Sequence, residues 1–224
     1  MKITKISGVD VRENSDGNSK KLSRITKIVP AIKTPGRYNI FIDGVYSFSL
    51  DEIQLVAAGL KKGQEIPDTE LFELKNDSEF GKNYIRAVDL ISRRVRSEKE
   101  IRDYAWHKQW TKENTEKVIA RLRERGYLND ETFAKSFVAS RANLRNFSRR
   151  KMELELAKKG INKDIREKVL RENEDFSEDE SLKNLIAKKR NHYDSEQKLI
   201  AYLARQGFSY DKIKVVLNEE RNAG

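Results

Sequence analysis

Ser97-Glu98-Lys99-Glu100-Ile101, Ser148-Arg149-Arg150-Lys151-Met152 and Ser195-Glu196-Gln197-Lys198-Leu199 open three segments that align without a gap over the 22 residues after each serine. Four positions after the serine stand Ile101, Met152 and Leu199; at eight, Ala105, Leu156 and Leu203; at thirteen, Trp110, Ile161 and Phe208. The segments close on Val118-Ile119, Val169-Leu170 and Val216-Leu217. The serines lie 51 residues (97 to 148) and 47 residues (148 to 195) apart. A period of about 40 to 50 residues belongs to repeats of small helical units, each of which buries its apolar face against its neighbours. The C-terminal two-thirds is therefore expected to be an array, an architecture suited to extended partners.

Local signals support helices in these segments. Each serine hydroxyl is placed to accept an orphan amide of the helix it precedes, and Glu100 completes a capping box with Ser97, a stabilisation of about 1 kcal/mol. Gly160 and Gly207 supply the positive φ that ends a helix and redirects the chain. The first repeat has Gln109 there, which predicts a different turn. Gly126-Tyr127-Leu128-Asn129-Asp130 reads as a glycine stop, two apolar anchors and a new cap joining repeats one and two. The next junction, Glu172 to Ser181, carries six acidic residues in ten and predicts a solvated hinge.

Upstream the pattern is that of strands. Tyr38, Ile40 and Ile42 alternate with Asn39 and Phe41, Asp43-Gly44 suits a tight hairpin, and Val45 to Leu50 returns with Tyr46 and Phe48. Ile25 to Lys33 adds a strand, Ser49 with Glu52 reads as the cap of a short helix ended by Gly59, and Lys62 to Ile66 suggests another strand. Residues 1–22 are polar and read as a mobile arm, with a short strand at Ile3 to Ile6. The expected fold class is mainly α: three tandem three-helix repeats (71–128, 129–175 and 176–224) in an elongated curved array, preceded by a small antiparallel β domain with a short helix (23–70).

The chain has 224 residues, 46 Lys and Arg against 36 Asp and Glu, a net charge of +10 and a pI near 9.6. That balance favours an acidic partner such as nucleic acid or an acidic protein surface. Charged residues form 37% of the chain and mean hydropathy is −0.80, so much of the helical surface must be solvated. Cysteine is absent, which removes disulfides and thiolate metal sites. The sequence lacks an apolar run of about 18 residues and a secretory signal pattern, so a cytoplasmic protein without membrane contact is expected.

Basic clusters recur near the helix junctions: Arg93, Arg94 and Arg96 before Ser97; Arg141, Arg145, Arg149, Arg150 and Lys151 around Ser148; Lys188, Lys189 and Arg190 before Ser195. Any one of them reads first as a solvated face, but the set of three predicts a binding surface, because the guanidinium fork matches phosphate and carboxylate. Trp110, in register with Ile161 and Phe208, reads as core. Trp106 aligns with Ala157 and Ala204, and packing against the neighbouring repeat is its expected role, ahead of stacking on a base. His107 and His192 are isolated and no glycine-rich phosphate loop is present, so neither a catalytic site nor a cofactor is expected. A free-standing DNA-binding repeat protein is the alternative function, and a carboxylate-dependent nuclease a second rival.

Three stretches carry a family resemblance: Gly126-Tyr127-Leu128-Asn129-Asp130-Glu131-Thr132-Phe133-Ala134, Arg96-Ser97-Glu98-Lys99-Glu100, and Lys159-Gly160-Ile161. Over about residues 84 to 217 the chain resembles the RecX family of recombination regulators. Asn129 and Thr132 depart from the Asp and Arg common there; Asn still caps a helix, whereas Thr132 removes a basic contact. The resemblance implies a curved modulator, expected to be monomeric, that binds RecA filaments on single-stranded DNA, with double-stranded DNA as a further partner. It also implies restraint of ATP hydrolysis, strand exchange and the co-protease activity of the SOS response. The N-terminal strands resemble an extension carried by some members.

Overall fold

The computed structural model describes residues 22–172 and 176–223, and at 142–145, 220 and 222–223 it describes the backbone alone. The expected arm, Leu22 apart, lies outside the described residues. The described residues divide into two compact units, one spanning 22–89 and 110–118, the other 90–109, 119–172 and 176–223.

The first unit is built on an antiparallel sheet of order β3-β2-β1-β4, from β1 (Leu22–Pro30), β2 (Arg37–Ile42), β3 (Val45–Asp51) and β4 (Glu65–Pro67). Asp43 and Gly44 take φ of 50° and 85°, the double positive-φ turn that matches the twist of paired strands. Alternation puts Ile25, Ile40, Ile42, Phe48 and Leu50 on one face, where they form a core with Leu60, Ile66 and Leu74. The short helix α1 (Glu52–Ala58) is capped by Asp51, not by the expected Ser49: Asp51 accepts from the Gln54 amide at 2.8 Å, and the Gln54 side chain accepts from the Asp51 amide at 3.1 Å. Ser49 is held inside β3, where its carbonyl accepts from Arg37 and from the Ser78 hydroxyl. Arg37, 6% exposed, thus ties the sheet to α2 (Asp68–Ser92), which also carries Asn83 against Asn114 at 3.2 Å.

The remaining helices are α3 (Glu98–His107), α4 (Lys112–Glu124), α5 (Asp130–Arg145), α6 (Arg149–Lys158), α7 (Lys163–Glu172), α8 (Glu178–Lys189), α9 (Glu196–Arg205) and α10 (Tyr210–Ala223). With α2 they make three three-helix repeats whose middle members, α3, α6 and α9, are each 10 residues long. Ser97, Ser148 and Ser195 cap them, accepting from the amides of Glu100, Lys151 and Lys198. The third members, α4, α7 and α10, all begin 15 residues after their serine. An ion pair recurs as well, Glu98 with Arg123 and Glu196 with Arg221, at matching positions. The aligned apolar residues are the cores: Met152, Leu156, Ile161, Val169 and Leu170 in the second repeat, and Leu199, Leu203, Phe208, Val216 and Leu217 in the third.

Several local expectations are corrected. Gln109 adopts φ 57°, the same left-handed turn as Gly160 (80°) and Gly207 (96°), so the first repeat does not turn differently. Glu100 does not close the capping box; its carboxylate turns to Arg94 and Lys159. Trp110 is half-buried, and Trp106 is 76% exposed with its ring edge-on to His107, not packed on another repeat. The acidic junction is only partly a linker: residues 173–175 lie outside the described set, but Glu178, Asp179 and Glu180 form the first turn of α8, where carboxylates complement the helix dipole. Ser177 caps that turn, and Glu178 and Asp179 pair with Lys212 at 2.9 and 3.0 Å.

Successive repeats meet through one recurring joint. The turn after the middle helix of one repeat sits on the N-terminus of the preceding repeat's middle helix. At the first joint a Cβ on Gly160 would lie 2.6 Å from Lys99 Cβ; at the second a Cβ on Gly207 would lie 2.5 Å from Ser148 Oγ. Ser148 Oγ donates to the Gln206 carbonyl at 2.8 Å. A carboxylate from the start of the next repeat also meets the first helical amide: Glu98 N donates to Asp130 at 2.8 Å, and Arg149 N donates to Glu178 at 2.8 Å. Ser97 and Ser148 are both 0% exposed.

Candidate functional site

A cation-lined concavity lies between the first and second repeats. A groove of about 560 Å³ is lined by Arg94, Val95, Glu100, Phe133, Ser136, Phe137, Ser140, Arg141 and Lys159. Its floor is aromatic because α5 presents Phe133 and Phe137 one turn apart, stacked at 5.9 Å between ring centroids and 28° between planes. One further turn along, Arg141 lays its guanidinium over Phe137 at 5.2 Å.

Glu100 organises the cations. It takes a two-pronged hydrogen bond from Arg94 at 2.9 and 3.0 Å and one from Lys159 at 2.6 Å, while Arg96 approaches to 4.0 Å. Burial alone would raise the Glu100 carboxyl, but the Arg94 and Lys159 bonds and charges hold it below the usual range. Burial, then the charge of Arg94, lowers the Arg96 guanidinium, although Glu100 opposes this, and its Nε is buried without a hydrogen-bond partner. With three cations on one carboxylate and Arg141 close by, the groove carries an excess of positive charge and suits an anionic ligand.

The Glu100 network also makes a stability prediction. A carboxylate with a depressed folded pKa stabilises the fold above its unfolded pKa, and this is lost as pH falls through the folded value. Glu100→Gln should cost about 1–3 kcal/mol at pH 7, in line with the loss of charged hydrogen bonds. The gap between variant and wild type should close below about pH 4. Thermal melts at pH 7, 5 and 3 measure it; a gap that does not narrow on acidification contradicts the network.

The other basic residues named from sequence are distributed differently. Arg93 is exposed and near enough to depress Arg96. Arg145 closes α5, and its side chain lies outside the described residues. Arg149 and Arg150 are exposed in the first turn of α6, Arg149 being 3.6 Å from Glu153. Lys151 belongs to the second joint: its ammonium donates to the Gln206 side chain at 2.7 Å and sits 4.6 Å from the centre of the Phe147 ring. Lys188 is exposed and Lys189 half-buried, while Arg190 lines a smaller groove of about 250 Å³ with Tyr193, Asp194, Ser195, Glu196, Leu199 and Leu217. The structure therefore gathers Arg94, Arg96 and Arg141 about one groove and adds Lys159, Phe137 and the Ser136 and Ser140 positions, which do not stand out as a site in the sequence. The signal was present in the 133, 137, 141 spacing along one face of α5.

Two family models match the chain: "Regulatory protein RecX N-terminal domain" over residues 23–67 and "RecX, second three-helix domain" over residues 129–170. The regulatory protein RecX of Listeria monocytogenes serotype 4b (strain F2365) is 33% identical over 205 residues, covering 88% of this chain and 75% of the relative. That of Bacillus subtilis (strain 168) is 33% identical over 204 residues, covering 87% and 76%. A crystal structure of regulatory protein RecX superposes with a TM-score of 0.72 at 26% identity, covering 88% of this chain and 99% of that one. The structure of RecX from Lactobacillus salivarius gives 0.56 at 29% identity, covering 62% and 95%. A shared N-terminal sheet domain, helical repeats and a third of residues identical over most of the length have one explanation: the chain belongs to the RecX family of regulatory proteins.

Proposed function

We propose that this protein binds RecA-type recombinase filaments assembled on single-stranded DNA and slows their turnover, acting by binding energy and not by bond chemistry. The observation that carries the reading is the groove between the first and second repeats, where Arg94, Arg96 and Lys159 converge on a single carboxylate, Glu100, and Arg141 lies over the phenylalanine floor. Such a surface attracts an acidic face or a phosphate backbone, and rigid helices hold it in register. A ligand that bridges filament subunits lowers turnover by favouring the conformation it binds best, so restraint of ATP hydrolysis needs only differential affinity for two filament states. The regulatory name of its relatives and the absence of a helix long and apolar enough to cross a membrane among the described residues agree with such a role.

The test is recombinase ATPase on single-stranded DNA, titrated with this protein at two salt concentrations. Inhibition should appear below one protein per DNA-binding site of the filament and weaken moderately with salt. Association with bare DNA alone would instead fall by about 10³ to 10⁵ between 50 and 200 mM salt if six to ten phosphates were contacted. Recombinase-independent DNA binding of that strength, without ATPase inhibition, would replace this reading with that of a free-standing DNA-binding protein.

A further inference from the structure

The core of the first unit lies on one face of its sheet, where Leu55, Leu71 and Leu74 from α1 and α2 join Ile25, Ile40 and Leu50 in one cluster. Strand alternation sends Phe41, between the buried Ile40 and Ile42, to the opposite face. There it stands at the centre of a row across three strands, paired with Lys27 of β1 on one side and Tyr46 of β3 on the other. The Tyr46 and Phe41 rings meet edge to face, 6.0 Å between centroids, and the Lys27 ammonium lies 5.6 Å from the centre of the Phe41 ring. Tyr46 keeps 48% of its surface exposed, and Lys27 is exposed as well.

Two β-bulges build this row. Pairing shifts by one residue on both sides of Phe41, so that Thr26 in β1 and Ser47 in β3 are the extra residues. In regular strands Lys27 would share a face with Ile25, and Tyr46 with Phe48, because side chains two apart point the same way. The bulges reset the alternation: Ile25 and Phe48 stay in the core while Lys27 and Tyr46 turn out beside Phe41. Backbone groups at the bulge are satisfied by Thr26, whose hydroxyl donates to the Phe41 carbonyl at 3.1 Å and accepts from the Gly44 amide at 3.0 Å.

The charge of the hairpin selects the occupant. From Arg24 to Leu50 the chain holds four cations, Arg24, Lys27, Lys33 and Arg37, and one carboxylate, Asp43, which accepts from the Arg24 amide at 3.1 Å. Arg37 is buried and Arg24 pairs with Glu65, so the exposed Lys27 and Lys33 set the sign of the surface. A strand of unpaired nucleotides offers both a flat ring for an aromatic platform and a negative charge beside it, whereas a duplex hides its ring faces. We propose that the Lys27–Phe41–Tyr46 row is a single-stranded DNA site, in which a base stacks on Tyr46, Phe41 supports that ring, and Lys27 and Lys33 take neighbouring phosphates. The choice of DNA over RNA rests on the filament-binding reading; the site itself does not.

Fluorescence anisotropy of the full chain with a labelled oligothymidylate tests this. Tyr46→Ala should weaken binding about tenfold, while Tyr46→Phe stays close to wild type, since stacking needs the ring and not the hydroxyl. Tyr46→Trp should bind at least as well as wild type and add an indole emission that the oligonucleotide quenches. With two phosphates held, affinity should fall only about sevenfold between 50 and 200 mM salt, and Lys27→Gln should flatten that dependence further. Equal binding by Tyr46→Ala and wild type, equal loss in Tyr46→Ala and Tyr46→Phe, or an unquenched indole at 46 each overturns the inference, as does a wild-type protein that binds no oligothymidylate. Tighter binding to oligouridylate overturns the assignment to DNA. Loss of recombinase inhibition in Tyr46→Ala with unchanged DNA affinity would make the row a contact for protein instead. The filament reading fails separately: ring-dependent DNA binding without any ATPase inhibition removes that reading and leaves this site standing.

Discussion

Gly207→Ala and Gly160→Ala should each destabilise the helical repeats by about 2–4 kcal/mol, combining the strain of a left-handed residue with overpacking. Both glycines are left-handed, and a methyl group would be forced to 2.5 Å from Ser148 Oγ or 2.6 Å from Lys99 Cβ. Neither obstacle moves readily, since Lys99 Cβ is fixed to its helix and Ser148 Oγ holds both its cap and the Gln206 carbonyl. Gly126→Ala is the control, with φ +71° but open space around the added carbon, so it should show the backbone strain alone, about 1–2 kcal/mol. At about 2–4 °C per kcal/mol for a protein of this size, thermal melts by circular dichroism resolve the two classes. If Gly207→Ala melts no earlier than Gly126→Ala, the joint is looser than the contact distances require.

Arg141→Glu is expected to raise the concentration needed for half-inhibition of recombinase ATPase at least tenfold while leaving helical content and melting temperature close to wild type. The guanidinium lies on the Phe137 ring at the rim of the groove and is not part of the Glu100 ion-pair network, so reversal strikes the ligand surface with little damage to the fold. Arg94→Glu should weaken inhibition too, but should also loosen the first joint and lower the melting temperature, since it would place two carboxylates together where Glu100 now accepts two hydrogen bonds. Arg149→Glu with Arg150→Glu is the informative comparison, as both residues are exposed yet outside the groove. Loss of inhibition in that pair, with Arg141→Glu unaffected, would move the binding surface to the start of α6.

The repeats were legible because capping and helical periodicity are short-range. Ser97, Ser148 and Ser195 each cap a helix, and the positions at four, eight and thirteen are buried in the second and third repeats. The hairpin at Asp43-Gly44 was legible for the same reason. What sequence alone misjudged depends on contacts between segments far apart in the chain. Glu100 looked like a capping residue until Lys159 arrived from the next repeat, and Lys151 looked like an open cation until Gln206 met it. Ser49 matched a capping pattern, but pairing with β2 took it into the sheet and left Asp51 at the helix start. Gln109 shows the converse, since a left-handed turn that no other repeat presses on tolerates a side chain. The basic clusters could be counted from the sequence, but which of them share a groove follows from how α5 lies beside the start of α3.

Neighbouring copies of one module in a nascent chain invite mispairing, and multidomain arrays are prone to domain swapping. The unlike partners at the two joints work against this: a lysine-bearing turn suits Glu100 but is repelled by Lys151, while the neutral Gln206 suits Lys151. Each module thus carries a chemical address for its proper successor, and the order in which the ribosome delivers them is also the order in which they fit.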